Sequence, residues 1–319
     1  MTQVLADAAP MGPGDVEPVA GIQGRTPLQL AWVRFRRDKV AMASMLFIVV
    51  IAIIAIPAVG NFLVDRLGHP PGEQFRETGL SPEGIPVGPN GEFWLGTDGL
   101  GRDILARIII GTQISMLVGL MATGVSLIIG VVVGLFAGYF GGWVDTVLSR
   151  LMDIVLSFPS LLFAIAIIAA LEKNSVWIII FVIAFFGWVT IARIVRGQVL
   201  SVREKEFIEA ARSLGASDLR IVFTDVLPNL VAPIIVYTTL VIPQNILTEA
   251  VLSFLGLGVP PPTPTWGNML SDSIQYYSVA WWFWLFPGLA LLFTVLSFNL
   301  MGDGLRDALD PRAQRTMAK

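Results

Sequence analysis

Chemistry inside a bilayer or a pocket needs ionisable or nucleophilic side chains held close together, and this chain supplies few of them. It has no cysteine and one histidine, His69 in GHPPGEQF, which excludes thiol catalysis, disulfides and any cysteine or histidine-cluster metal site within the chain. A metal would have to rest on carboxylates alone. No glycine stands before any of the four lysines in a G-x-x-x-x-G-K-[ST] pattern, so ATP cannot be hydrolysed here through a phosphate loop. His69 reads as an exposed loop residue rather than a base.

Three groups of residues remain as candidates. Gln244, Asn245 and Glu249, in PQNILTEA, form the polar cluster nearest to an apolar run. Facing a cavity they would contact a polar solute; at the headgroups Glu249 would do nothing, and that plainer reading is preferred. Trp94, Asp98, Arg102 and Asp103 lie in a Pro- and Gly-rich loop that could receive a protein partner or simply turn into a helix at Ile104; both readings stay open. The third group lies in residues 201–229, SVREKEFIEAARSLGASDLRIVFTDVLPN, a charged island between long uncharged runs. Phe207, Ala210, Ala211 and Leu214 repeat at helical spacing, and so do Leu219, Val222, Phe223 and Val226. The pattern predicts two short amphipathic helices hinged at Gly215, the second ended by Pro228, which lacks the N–H to continue.

The elements that must carry these groups are membrane helices. Of the 319 residues 55% are hydrophobic and 14% charged, with mean hydropathy +0.73, too apolar for a soluble core to hide. Net charge is −3 with no basic stripe interleaved with aromatics, which argues against nucleic acid. Six uncharged runs are long enough to cross a bilayer, predicting spans at about 40–62, 111–138, 154–171, 174–193, 229–248 and 280–301. The run 250–271 contains PPPTPTWGN and reads as irregular backbone. Six spans place both termini on one side. With that side cytoplasmic, 16 of 21 Lys and Arg fall inside, which makes 201–229 cytoplasmic and 65–107 external. Residues 1–26 carry acidic, Gly and Pro residues without an apolar core, unlike a signal peptide, and read as a disordered cytoplasmic tail. The following stretch mixes Trp32, Val33 and Phe35 with Arg34, Arg36, Arg37 and Lys39, suiting either an interfacial helix or the flank of the first span.

Gly130, Gly134 and Gly138 sit at four-residue spacing, opening one stripe of the second span to close helix packing. Arg150 and Asp153 are three apart and could pair, and Pro159 could kink the third span. No ionisable residue lies near a span centre, which disfavours an ion-coupled carrier or an intramembrane hydrolase.

Glu209-Ala210-Ala211, Gly215, Ile221 and Leu227-Pro228 resemble the EAA loop of ABC importer permeases, although the distal I-x-L-P half is stretched. LGTDGLGRD at 95–103, LSFLGLG at 252–258 with Trp266-Gly267-Asn268, and GDGLRDALDPR at 302–312 narrow the resemblance to C-type permeases of dipeptide, oligopeptide and nickel importers. It implies an all-α membrane protein with six transmembrane helices in the type I ABC importer permease fold, occupying 27–319, in a bacterial inner membrane. The implied partners are a similar B-type permease, two cytoplasmic ATPase subunits carrying ATP and Mg, and an extracytoplasmic solute-binding protein. This chain itself would hold no cofactor and catalyse nothing. Its implied task is half of a path for peptides, with nickel complexes or glutathione-type solutes as alternatives. Glu209, Ala210, Ala211, Arg212, Gly215 and Asp218 are the implied coupling residues.

Overall fold

In the computed structural model, which describes residues 27–171 and 175–309, the chain is a helical array. The elements are α1 (Pro27–Phe35), α2 (Lys39–Ala55), α3 (Pro57–Leu67), α4 (Ile104–Phe140), α5 (Gly142–Ser157), α6 (Ser160–Leu171), α7 (Val176–Val202), α8 (Glu206–Ser213), α9 (Asp218–Arg220), α10 (Leu227–Phe254), α11 (Trp266–Ser273) and α12 (Trp281–Leu309). Among the described residues only isolated bridges, Leu80 with Pro86 and Thr97 with Asp103, have strand-like pairing. Four helices are long and apolar enough to cross a membrane, or up to six when two bent pairs each count as one span. The predicted tail at 1–26, Lys173 and the charged C-terminus beyond 309 lie outside the described residues.

Side-chain caps start the main helices. Asp38 accepts from the Val40 and Ala41 amides at the head of α2, and Asp103 from Leu105 and Ala106 at the head of α4. Each satisfies amide donors that a helix leaves orphaned in its first turn. Because Asp103 caps it, α4 begins at 104 rather than 111.

The packing centre is α4 against α7. A Cβ at Gly130 would stand 2.7 Å from the Trp188 carbonyl, at Gly134 2.6 Å from the Ala192 carbonyl, and at Gly138 2.7 Å from Val199 Cβ. No real Cβ fits at those distances, so the glycine stripe is what lets the two backbones approach. Interior glycine costs about 1 kcal/mol of helix propensity relative to alanine, and the tight contact along three turns offsets it.

Of two proline expectations, the bend at Pro159 is present and larger than a kink, and the stop at Pro228 needs correction. Pro159 does more than kink a span: Phe158 is extended at φ −90°, ψ 132°, and α5 and α6 diverge by 78°. The ring of Pro159 drives its predecessor out of the helical region. Pro228, expected to end a hairpin helix, instead sits in the first turn of α10. Residues Ile221–Val226 form a π-helical stretch, with the Leu227 amide bonded to the Val222 carbonyl five residues back. That wider turn accommodates a residue without an N–H, so α9, the π stretch and α10 run on as one helix from Asp218 to Phe254. Pro233 and Pro243 lie inside α10 as well, as membrane helices tolerate.

The described chain ends meet. Ala31, Phe35 and Ala41 pack with Ala308, and one groove is lined by both Trp32 of α1 and Pro228 beside the 201–229 hairpin. The hairpin, α1 and the end of α12 therefore share one end of the bundle.

Candidate functional site

Within the hairpin, α8 has one fully buried side chain. Ile208 of α8 is fully buried among Ile221, Val222, Val226, Tyr139 and Val199, while Ala211 packs on the same cluster. The expected apolar face splits accordingly: Ala211 turns inward, but Phe207, Ala210 and Leu214 face out, Leu214 at 88% exposure. Val222 and Val226 are likewise buried, leaving Leu219 and Phe223 exposed. Glu209 and Arg212 are on the open surface. Four large apolar side chains thus crown a surface that is otherwise polar.

Gly215 closes α8. Its φ is +81°, the Gly215 amide bonds the Arg212 carbonyl and the Ala216 amide reaches back to Ala211, which is the Schellman arrangement. Nothing lies within 4 Å of where its Cβ would be, so backbone conformation, not space, demands glycine there. Beyond the turn, Asp218 accepts a 2.8 Å hydrogen bond from the Tyr139 hydroxyl at the end of α4. Arg212 lies with its guanidinium 5.9 Å from the Tyr139 ring centroid. Further ties join α7 to its neighbours: Arg196 to Asp145 at 2.6 Å, Arg193 to Asp153 at 2.7 Å, and, just after α7, Arg203 to the Gly138 carbonyl at 2.8 Å. The Arg150–Asp153 pair is present but longer, at 3.7 Å. Ile208 and Tyr139 escaped the sequence reading; the only signal for Tyr139 was a polar-tipped aromatic directly after the glycine stripe.

The second candidate group separates. Gln244 and Asn245 line a groove of about 550 Å3 together with Ser160, Thr190, Thr248 and Phe186. Asn245 also donates to Thr123 at 2.8 Å, fixing its orientation against α4. Glu249 does not line this groove, and its expected place at the headgroups is wrong. It is 0% exposed, with Oε2 accepting from Ser115 at 3.0 Å and Oε1 from Ser253 at 2.7 Å. The turn of α10 that carries it faces α4 and α11, and the Ser115 oxygen also accepts from the Trp266 amide at 3.4 Å.

The group in the 65–107 loop is interior, apart from Trp94 at 65% exposure. Asp98 is 0% exposed, bonded to the Leu100 and Arg102 amides and to Arg102 Nε at 2.7 Å. Arg107 Nε lies 3.3 Å from the same carboxylate but too poorly aligned to hydrogen-bond, so the contact is an ion pair only. Asp272 on α11 approaches both arginines at 3.6 and 3.9 Å; partial burial pushes its carboxyl up, and the arginines oppose that. Asp103, besides capping α4, bonds His69 Nδ1 at 2.7 Å, and His69 sits between Phe75 and Phe93, not exposed as expected. Asp98, Arg102 and Asp103 are thus buried and paired within the chain, and Trp94 is the member of the group on the surface.

Residues 130–315 match the family described as binding-protein-dependent transport system inner membrane component, and residues 26–76 match the N-terminal TM domain of oligopeptide transport permease C. The glutathione transport system permease protein GsiD of Escherichia coli O157:H7 is 42% identical over 290 residues, covering 91% of this chain and 92% of the relative. GsiD of Shigella boydii serotype 4 matches to the same extent. Among solved structures, an inward-facing MetNI methionine ABC transporter superposes with a TM-score of 0.54 at 18% identity, over 65% of this chain and 98% of that one. That likeness concerns the fold alone. With a family match over more than half its length and full-length relatives, the chain belongs to the binding-protein-dependent inner membrane components, as a multi-pass permease subunit of an ABC importer.

Proposed function

We propose that this permease forms one half of a path for small peptides, glutathione-type tripeptides included, and that its 201–229 hairpin receives an ATPase subunit on the cytoplasmic side. The observation that carries the coupling role is the outward face of α8. Phe207, Ala210 and Leu214 are open to a partner, while Ile208 anchors the same helix in the core and the Tyr139–Asp218 bond anchors α9, just beyond the turn, to α4. Buried core with an exposed apolar crown is what a docking element needs. Glu209 and Arg212 flank that crown and would orient it by charge, and Gly215 fixes the angle of the turn. A partner that closes on ATP and Mg would push α8 as a rigid body, and the load would pass through Ile208 and Tyr139 into α4 and α10.

For the solute, Gln244, Asn245, Thr248 and Thr190 supply amides and hydroxyls to the groove wall. These groups both donate and accept, which matches a peptide backbone. The remaining wall would come from a second, B-type permease, and delivery from an extracytoplasmic solute-binding protein. The relatives named for glutathione transport support this substrate class.

Reconstitution tests the reading. Proteoliposomes holding the two permeases, two ATPase subunits and the binding protein should accumulate labelled glutathione or dipeptide only with ATP. Uptake by this chain alone, without ATPase subunits, would sink it.

A further inference from the structure

Beside the hairpin lies a groove of about 570 Å3 lined by apolar side chains, with Trp32, Phe35, Met45, Val231, Ile235 and Leu305 among its walls. Its size is that of a small-molecule pocket, yet its walls are almost entirely apolar and offer a polar solute little. Its rim is different. Arg36 and Arg37 in the short link between α1 and α2, and Lys39 at the start of α2, are exposed, and the Arg36 guanidinium lies 5.4 Å from the centroid of the Trp32 ring, which itself lines the groove. Helix α1 meets α2 at 96°, so when α2 stands along the bilayer normal α1 lies along the surface, with its cations at headgroup depth.

Carboxylates near the rim do not cancel this charge. Asp38 is occupied in capping α2 through Oδ1. Asp303 and Asp307 are exposed on the turns of α12 that carry Leu305, with Arg306 between them. Among the described residues, Arg36, Arg37, Lys39 and Arg306 outnumber Asp38, Asp303 and Asp307, and this part of the rim stays net positive.

We infer that this groove is a binding site for an anionic phospholipid of the hairpin-side leaflet, its acyl chain between α1, α10 and α12 and its phosphate on Arg36, Arg37 and Lys39. An apolar channel beneath a cationic rim is complementary to a molecule that is apolar at one end and anionic at the other. Because Pro228, Val231 and Ile235 belong to the first turns of α10, directly after the π stretch, an occupied groove braces the helix that continues out of the hairpin. This site is independent of the identity of the transported solute.

The test uses the purified full chain with phosphatidylglycerol and phosphatidylcholine of identical acyl chains in equal amounts, read by native mass spectrometry of retained lipid. Phosphatidylglycerol should be retained about tenfold over phosphatidylcholine. The triple variant Arg36→Gln, Arg37→Gln, Lys39→Gln should lose that preference while keeping the wild-type melting curve. Ala232→Trp, which fills the groove and leaves the cations in place, should lower retention of both lipids. Equal retention of the two lipids by the wild type would overturn the inference, as would unchanged retention in either variant. Retention that appears only after deletion of residues 1–26 would assign the groove to that segment and overturn it too.

Discussion

Tyr139, at the last turn of α4, donates its hydroxyl hydrogen to Asp218 across 79 residues of sequence, at 2.8 Å. The bond ties the helix that carries the glycine stripe to the helix that leaves the hairpin. Arg212 of α8 approaches the same tyrosine, so three elements meet at one side chain. A hydrogen bond to a charged group contributes roughly 1.5–3 kcal/mol, more than a neutral one. It holds the start of the helix that leaves the hairpin against the end of α4.

Tyr139→Phe keeps the ring and removes the bond. The complex should assemble and hydrolyse ATP, while solute taken up per ATP falls about tenfold, the equivalent of about 1.4 kcal/mol of lost coupling. The ratio of uptake to phosphate release in proteoliposomes measures this. An unchanged ratio would remove Tyr139 from the transmission path.

Gly215→Val places a β-branched residue at φ +81°, a conformation that costs an L-residue at least about 1–2 kcal/mol. No neighbour is displaced, since the site is open. The expected result is an assembled complex with a tilted α8, ATP turnover retained and uptake lost. Gly215→Asn, which tolerates the left-handed region, should recover most of the uptake. If Val and Asn behave alike, the turn geometry is not what matters.

Features with a local period were legible in the sequence. Gly130, Gly134 and Gly138 announced a close helix contact because four-residue spacing makes one stripe, and the α8 pattern announced an amphipathic helix. Which part of that pattern faced the core was not legible, because Ile208 is held by residues of α4, α7 and the π stretch far away in sequence. The same holds for Glu249: spacing gives its direction on α10, but only the arrival of Ser115 and Trp266 from other elements makes it interior. Pro228 misled for a different reason. A missing N–H forbids an ordinary α-helical bond, but a π turn before it removes the need for one. For Asp98, Arg102 and Asp103 the sequence left docking and a plain turn both open, because charges in a Gly-rich loop suit either; their burial depends on Asp98 meeting two arginines, which spacing does not reveal.

Gly134→Ala should destabilise the fold, because its Cβ would meet the Ala192 carbonyl at 2.6 Å, and backbone cannot swing aside as a side chain can. Overpacking of this kind costs about 1–3 kcal/mol. Gly124→Ala on the same helix has nothing within 4 Å of the new atom and should be neutral or slightly stabilising through helix propensity. Thermal unfolding in detergent compares the two. Equal melting temperatures would mean that α4 and α7 are free to separate.

Glu249→Gln tests whether the buried carboxyl acts as a hydrogen-bonding joint or as a charge. Among the described residues no Lys or Arg is within ion-pair distance of it; hydroxyls supply its contacts, those of Ser115 and Ser253 at hydrogen-bond distance and Thr265 beside them. Hydroxyls can donate or accept, so glutamine can replace both bonds with little loss. Stability and uptake should stay within about twofold of wild type, about 0.4 kcal/mol. Glu249→Ala instead removes the acceptor of the Ser115 and Ser253 hydroxyls and leaves a cavity beside Trp266, at a cost of about 2–5 kcal/mol. If glutamine fails as badly as alanine while the melting temperature holds, the carboxyl has a role that hydrogen bonding does not supply.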